Sequence, residues 1–199
     1  MAKSYTIYTL HVQLRDIEPP VWRRISVDGS IKLRKLHHIL QAAFGWTDAH
    51  LHDFEVEGRT YTMGDNDNVL ELFGEDPEML DDRKARLHGL TYVGHRFTYR
   101  YDFGDDWLHD IQVEEVVSTD REPYGDAWIL AGERACPPED VGGAHGYVEM
   151  LRVLNREPHS EKAQEYRTWA GEDFDSELFD RRAANATLLR MAWNNWGKK

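Results

Sequence analysis

Cysteine is almost missing: the 199-residue chain has one, Cys136. A single thiol cannot close an internal disulfide, so stability must come from a buried core, which a chain of this length is large enough to build. Long apolar runs are missing too, and none approaches the roughly 18 residues that a bilayer-spanning helix needs. The first stretch, MAKSYTIYTLHVQLRD, alternates polar and apolar residues instead of presenting the basic and apolar segments of a secretory signal. These absences lead to the expectation of a soluble cytoplasmic protein with no membrane partner. Basic charge is also short. Lys+Arg number 24 against 36 Asp+Glu, a formal net charge of -12, so the chain repels a phosphate backbone and nucleic acid is a disfavoured partner. The densest basic patch is Trp22, Arg23 and Arg24, followed by Lys32, Arg34 and Lys35. There is no G-x-S-x-G elbow, no glycine-rich phosphate loop and no H-E-x-x-H, and the DFG of Asp102 to Gly104 stands without the other kinase motifs.

Aromatic residues are plentiful at 12%, including seven tryptophans, and large rings supply the burial that offsets chain entropy. Thr6, Tyr8, Leu10, Val12 and Leu14 form the apolar face of a first strand. Val21, Arg23, Ile25 and Val27 face one way on a second, while Trp22, Arg24 and Ser26 face the other. Over 33–44 the period becomes helical, with Leu33, Leu36, His37, Leu40 and Phe44 on one face and Gly45 at the C-terminus. HLHDFEVEGRTYTM predicts a hairpin turning at Glu57, Gly58 and Arg59, and the acidic stretch 64–82 reads as loop with one short helix. In FTYRYDFGDDWLHDIQVEEV, Phe97, Tyr99, Tyr101 and Phe103 face Trp107, His109, Ile111 and Val113 across a turn of Gly104, Asp105 and Asp106, with Arg96, Thr98, Arg100 and Asp102 pointing away. Helices are expected over 147–154, 162–169 and 176–193. Strands first and helices last give a single α+β domain over 1–199: a largely antiparallel, mixed sheet with one helix after the first two strands, a strand-rich part to 135 and a helical part from 136.

Three constellations could carry chemistry. His50 and His52, two apart, project from one face of a strand and could share an ion; His37 and His109 lie on apolar faces and could join them. The ordinary alternative is four buried histidines, each satisfied by a hydrogen bond. Asp102, Asp105, Asp106 and Asp110 with Glu139 and Asp140 offer oxygen ligands, although Asp105 and Asp106 also suit the turn and Asp140 a cap. Cys136 sits among acidic residues, which raise a thiol pKa, so it reads as packing or as a zinc ligand with histidine rather than as a nucleophile.

PPVWRRISV, AAFGWTDAHLHDF, YRYDFGDDWLHDI and ACPPEDVGGAHGY, in this order, resemble the plasmid (Ri) open-reading-frame-3-like family, whose members are often labelled transposon-passenger TnpR proteins. The resemblance spans about 5–189 and implies a compact α+β domain associated with mobile elements, with no established activity. The resolvase label finds no support in the residues: Arg24, Ile25 and Ser26 alone echo the serine-resolvase strand, and a catalytic arginine framework and a basic helix-turn-helix are missing. Val141 stands where many members resemble Cys-Pro-Pro-Glu-Asp-Cys, which removes a two-thiol mechanism.

The first expectation is therefore a module that binds a protein or small molecule through Trp22, Arg23, Arg24, Asp105, Trp107, Cys136, Glu139 and Asp140, near the hairpin turn and CPPEDVGG. The alternative is a metal-dependent hydrolase of phosphoester bonds, with zinc, magnesium or manganese on His50, His52, Asp102, Asp105 and His109 and with Glu139 as general base. A DNA-associated accessory factor ranks third.

Overall fold

The computed structural model describes residues 4–63, 79–123 and 125–196. The strands are β1 (Tyr5–Leu14), β2 (Trp22–Asp28), β3 (His52–Val56), β4 (Arg59–Thr62), β5 (Met79–Asp81), β6 (Arg96–Tyr101), β7 (Trp107–Thr119) and β8 (Ala127–Glu133). They form one sheet in the order β5-β4-β3-β6-β7-β1-β2-β8, antiparallel except where β5 runs parallel to β4. The helices are α1 (Leu33–Phe44), α2 (Leu87–Leu90), α3 (Gly143–Arg156), α4 (Glu161–Ala170) and α5 (Arg181–Trp193). The architecture is α+β, and among the described residues no helix is long and apolar enough to cross a membrane.

Alternation decides which face of the sheet is inside. Leu10, Val12 and Leu14 of β1, Ile25 and Val27 of β2, and Trp107, His109, Ile111 and Val113 of β7 are all buried. Tyr99 stands opposite His109, and Tyr101 opposite Trp107. The apolar stripe of α1 closes this face, ending at Gly45, whose φ of 90° is the left-handed value a helix C-terminus favours. Two further boundaries move for local reasons. Asp180 accepts hydrogen bonds from Arg182 N and Ala183 N, so α5 begins at Arg181 and not at 176. The helix expected over 147–154 starts four residues earlier, at Gly143, after Gly142 turns the chain at φ 90°. Of the acidic stretch, 64–78 lie outside the described residues, while 79–81 form β5, a strand that its sparse apolar content does not announce.

The basic pair in PPVWRRISV divides across the sheet. Trp22 and Arg24 lie on the outer face, where Trp22 stacks on His11 with ring centroids 5.3 Å apart and Arg24 donates to Glu114 through Nε and Nη2, at 2.6 and 2.9 Å. Arg23 is in the core. Its guanidinium donates to the carbonyls of Ala43 (3.0 Å), Trp22 (2.8 Å), Glu133 (2.8 Å) and Arg134 (3.0 Å), and the Phe179 ring covers it at 3.6 Å. Burial lowers its pKa to about 10. One side chain thus ties β2 to the end of α1 and to the chain after β8. A lysine cannot reproduce that planar fork, so Arg23→Lys is expected to lower stability by about 2–4 kcal/mol in urea unfolding. A variant within 0.5 kcal/mol, roughly the noise of a surface change, would contradict this role.

Candidate functional site

Tyr99 and Tyr101 point to the same face of β6, and their hydroxyls hold two different stretches of chain. Asp48 N–H donates to Gln41 Oε1 at 3.0 Å, which fixes the amide, so Gln41 Nε2 donates to the Tyr99 hydroxyl at 3.0 Å. The tyrosine hydrogen then has His37 Nδ1 as its acceptor at 2.7 Å. His37 consequently carries its proton on Nε2 and donates to Asp48 Oδ1 at 2.6 Å. The bonds start and end on Asp48. Its second oxygen lies 3.0 Å from His38 Nδ1. Burial opposes the charge on Asp48, but the hydrogen bonds from His37 and His38 prevail and hold its carboxyl well below the usual range.

His52 stacks flat on His37, with centroids 3.5 Å and planes 6° apart, and its Nε2 lies 2.9 Å from Asp82, which Arg34 also binds at 2.9 Å. His109 points its Nδ1 at the carbonyls of Trp107 (3.1 Å) and Tyr99 (3.3 Å), and its ring is edge-on to Phe44 and Trp46. Burial lowers the pKa of His37, His52 and His109 to about 3 each, so all three are neutral.

Tyr101 organises the second stretch. Its hydroxyl accepts from Ala49 N at 3.1 Å and donates to Glu139 Oε1 at 2.5 Å. Glu139 also accepts from Thr47 N and Thr47 Oγ1, at 3.2 and 2.5 Å, while Trp46 Nε1 donates to the Pro137 carbonyl at 3.0 Å. The loop 46–50 is thereby fastened to the CPPEDVGG segment, which in turn grips the hairpin turn: Gly142 N donates to Asp105 Oδ2 at 3.0 Å. Gly143 approaches so closely that a Cβ there would sit 2.3 Å from the Asp105 carbonyl, at a φ of 67°.

Where these three segments meet, one trio remains. Asp102 does not point away with Arg100; it is buried, and its Oδ1 accepts from Gly104 N (2.9 Å) and Asp105 N (3.3 Å), which closes the turn. Its other oxygen is 3.6 Å from His50 Nε2, and Asp140 Oδ1 is 3.3 Å from the same nitrogen. The side chain of Asp102 is 10% exposed, that of His50 30% and that of Asp140 71%, so the trio opens to solvent at one side.

Among the described residues two groups bring three metal-ligating side chains within 4.8 Å: His50, Asp102 and Asp140, and His37, His38 and Asp48. The expected set of His50, His52, Asp102, Asp105 and His109 is divided. Only His50 and Asp102 meet; His52 is held by Asp82, His109 lies under α1, and Asp105 is taken up by Gly142. Of the expected ligand-binding residues, Arg23 and Trp107 are core, Trp22 and Arg24 are on the outer sheet face, and burial raises the Cys136 thiol far above its ordinary range. Glu139, the candidate base, has both oxygens engaged. His38, Asp48 and Asp82 are not among the residues expected from the sequence, although the adjacent pair in LHHIL and the Asp two residues before His50 are visible signals.

Residues 6–183 match the plasmid pRiA4b ORF-3-like protein family. The chain belongs to that family. It is 35% identical over 203 residues to the uncharacterized protein y4hQ of Sinorhizobium fredii, covering 98% of this chain and 96% of that protein. It is also similar to the crystal structure of a protein of unknown function, MM3350, from Methanosarcina mazei Go1, with a TM-score of 0.78 and 32% identity over 89% of this chain and 97% of the other. The matched span takes in all four sequence motifs, and three of them meet in this fold, at the loop 46–50, the hairpin turn and the segment after β8.

Two outcomes test the buried network. The unfolded chain takes up histidine protons near pH 6.5, whereas the folded chain resists to about pH 3. Stability should be full above pH 6.5 and fall as pH drops, by up to about 4 kcal/mol per pH unit if all three contribute. A melting temperature that stays flat well into the acid side of this window would contradict it. Tyr99→Phe strands both Gln41 Nε2 and His37 Nδ1 and should cost about 2–4 kcal/mol in denaturant titration, whereas a neutral effect would mean that the ring of bonds carries no weight.

Proposed function

We propose that the chain is a ligand-binding module whose ligand is a divalent ion of the zinc class, held by His50, Asp102 and Asp140. The carrying observation is spacing. Bonds of about 2.0–2.2 Å to nitrogen and oxygen in a tetrahedron separate the ligand atoms by about 3.3–3.6 Å. His50 Nε2 stands 3.3 and 3.6 Å from the two carboxylates, longer than good hydrogen bonds and right for an ion between them. The other group fits less well. His37 Nε2 and Asp48 Oδ1 are 2.6 Å apart, a hydrogen-bond distance, and the ring of bonds assigns that nitrogen a proton. Asp102 supports the reading because its turn-closing bonds occupy one oxygen and aim the other at His50.

The second reading, a metal-dependent hydrolase acting on phosphoesters, is favoured by the same trio, since three protein ligands leave a fourth position for water or substrate. It would need Glu139 to leave Thr47 and Tyr101 to serve as a base, or water to be activated by the metal alone. Zinc titration by calorimetry should show one site, lost in Asp140→Ala and in His50→Ala; Asp140 is largely exposed, so its variant should keep the fold. No binding by the unaltered chain, or unchanged binding by both variants, would overturn the proposal. Metal-dependent cleavage of bis(p-nitrophenyl) phosphate that vanishes in Asp140→Ala would promote the hydrolase reading, and no turnover by the zinc-loaded chain would leave binding as the function.

A further inference from the structure

β8 ends the sheet, and its free edge is unusually inviting to another strand. Its sequence, AWILAGE, carries no proline and has its one charge at the last residue, Glu133, so the centre of the edge lacks the features that commonly blunt one. The ladder to β2 pairs Ile25 with Ile129 and Arg24 with Ala131, so Leu130 is a bulged residue whose carbonyl is left out. These outward groups are met by α5. Asn185 Oδ1 accepts from Ile129 N at 2.8 Å, Asn185 Nδ2 donates to Ile129 O at 3.1 Å, and Arg181 donates to Leu130 O at 2.8 Å. The asparagine amide makes the two bonds that a residue of a neighbouring strand would make.

We propose that β8 is a latent self-association edge, kept closed by α5, and that the occupant it fits when α5 lifts is the β8 edge of a second copy. The strand is self-complementary about Ile129. In an antiparallel pair with its two-fold at that residue, the Ile129 N–H and C=O of each copy satisfy those of the other, doing what Asn185 now does. Trp128 of each copy then stands opposite Leu130 of the other on the outer face. Both are exposed in the single chain, at 39% and 42%, and the pairing buries them as cross-strand neighbours. α5 is seated by Asn185 and Leu188, its buried residues, with Ala184 and Met191 partly buried against the core, while Trp193 is 71% exposed. The cover is separate from the trio at His50, and the metal experiments neither support nor weaken it.

The test is the mass in solution of the full chain and its variants, by light scattering and sedimentation, with near-ultraviolet circular dichroism as the check on folding. The unaltered chain should be monomeric. Arg181→Ala with Asn185→Ala should double the mass, and adding Trp128→Lys should return the monomer. A folded double variant that stays monomeric, or a dimer that survives Trp128→Lys, would overturn the proposal. If the double variant does not fold, Asn185→Asp is read the same way, because it keeps the side-chain shape and sets a carboxylate against the Ile129 carbonyl. In the unaltered chain the Ile129 amide should exchange hydrogen by local opening of α5, well below the free energy of global unfolding; exchange only through global unfolding would also overturn it.

Discussion

The register of β6 against β7 is the constraint on which the rest depends. Because side chains alternate along a strand, that register puts both Tyr99 and Tyr101 on the inner face, two residues apart. The Tyr99 hydroxyl carries the ring of bonds through Gln41 and His37 to Asp48; the Tyr101 hydroxyl joins Ala49 to Glu139. Each tyrosine fixes a different residue of 46–50, and between them the loop that delivers His50 has one position. A slip of one residue would turn both hydroxyls to the outer face and release it.

The same constraint explains why so many polar groups are buried without an apparent chemical task. Burying an unpaired polar group costs about 1–3 kcal/mol, so a loop lying over an aromatic core must carry its own partners. His37, Gln41, Tyr99 and Tyr101 are the buried groups, and the exposed loop residues Asp48 and Ala49, with Glu139, supply their partners. Glu139 and Asp105, which look like catalytic carboxylates in isolation, are in this fold the fastenings between CPPEDVGG and its neighbours. Once those commitments are subtracted, His50, Asp102 and Asp140 are left facing one another at 3.3 and 3.6 Å, beyond the usual hydrogen-bond range. The proposed site is what the scaffold leaves over.

Much of the fold was legible in the sequence because it follows from periodicity. The alternation of Tyr8, Leu10, Val12 and Leu14, the cross-strand aromatics of β6 and β7, and the stripe from Leu33 to Phe44 each name an element and its inner face. β5 was not legible, since three residues give no period, and neither was the start of α5, which the cap at Asp180 decides. The site was half legible. Strand alternation sends Asp102 outward, and only the turn at φ 58° brings it in; His50, expected on a strand with His52, precedes β3, so the two imidazoles separate. Asp140 joins them from a segment ninety residues along the chain from His50 (140 less 50), a distance no local pattern reports.

The central claim is that the loop 46–50, the hairpin turn and CPPEDVGG meet to hold an ion rather than only to brace one another. The most direct measurement is anomalous diffraction at the zinc absorption edge from crystals grown with zinc. The account predicts one strong peak bounded by His50 Nε2 and the carboxylates of Asp102 and Asp140. A peak between His37, His38 and Asp48, or none at the trio, would contradict it.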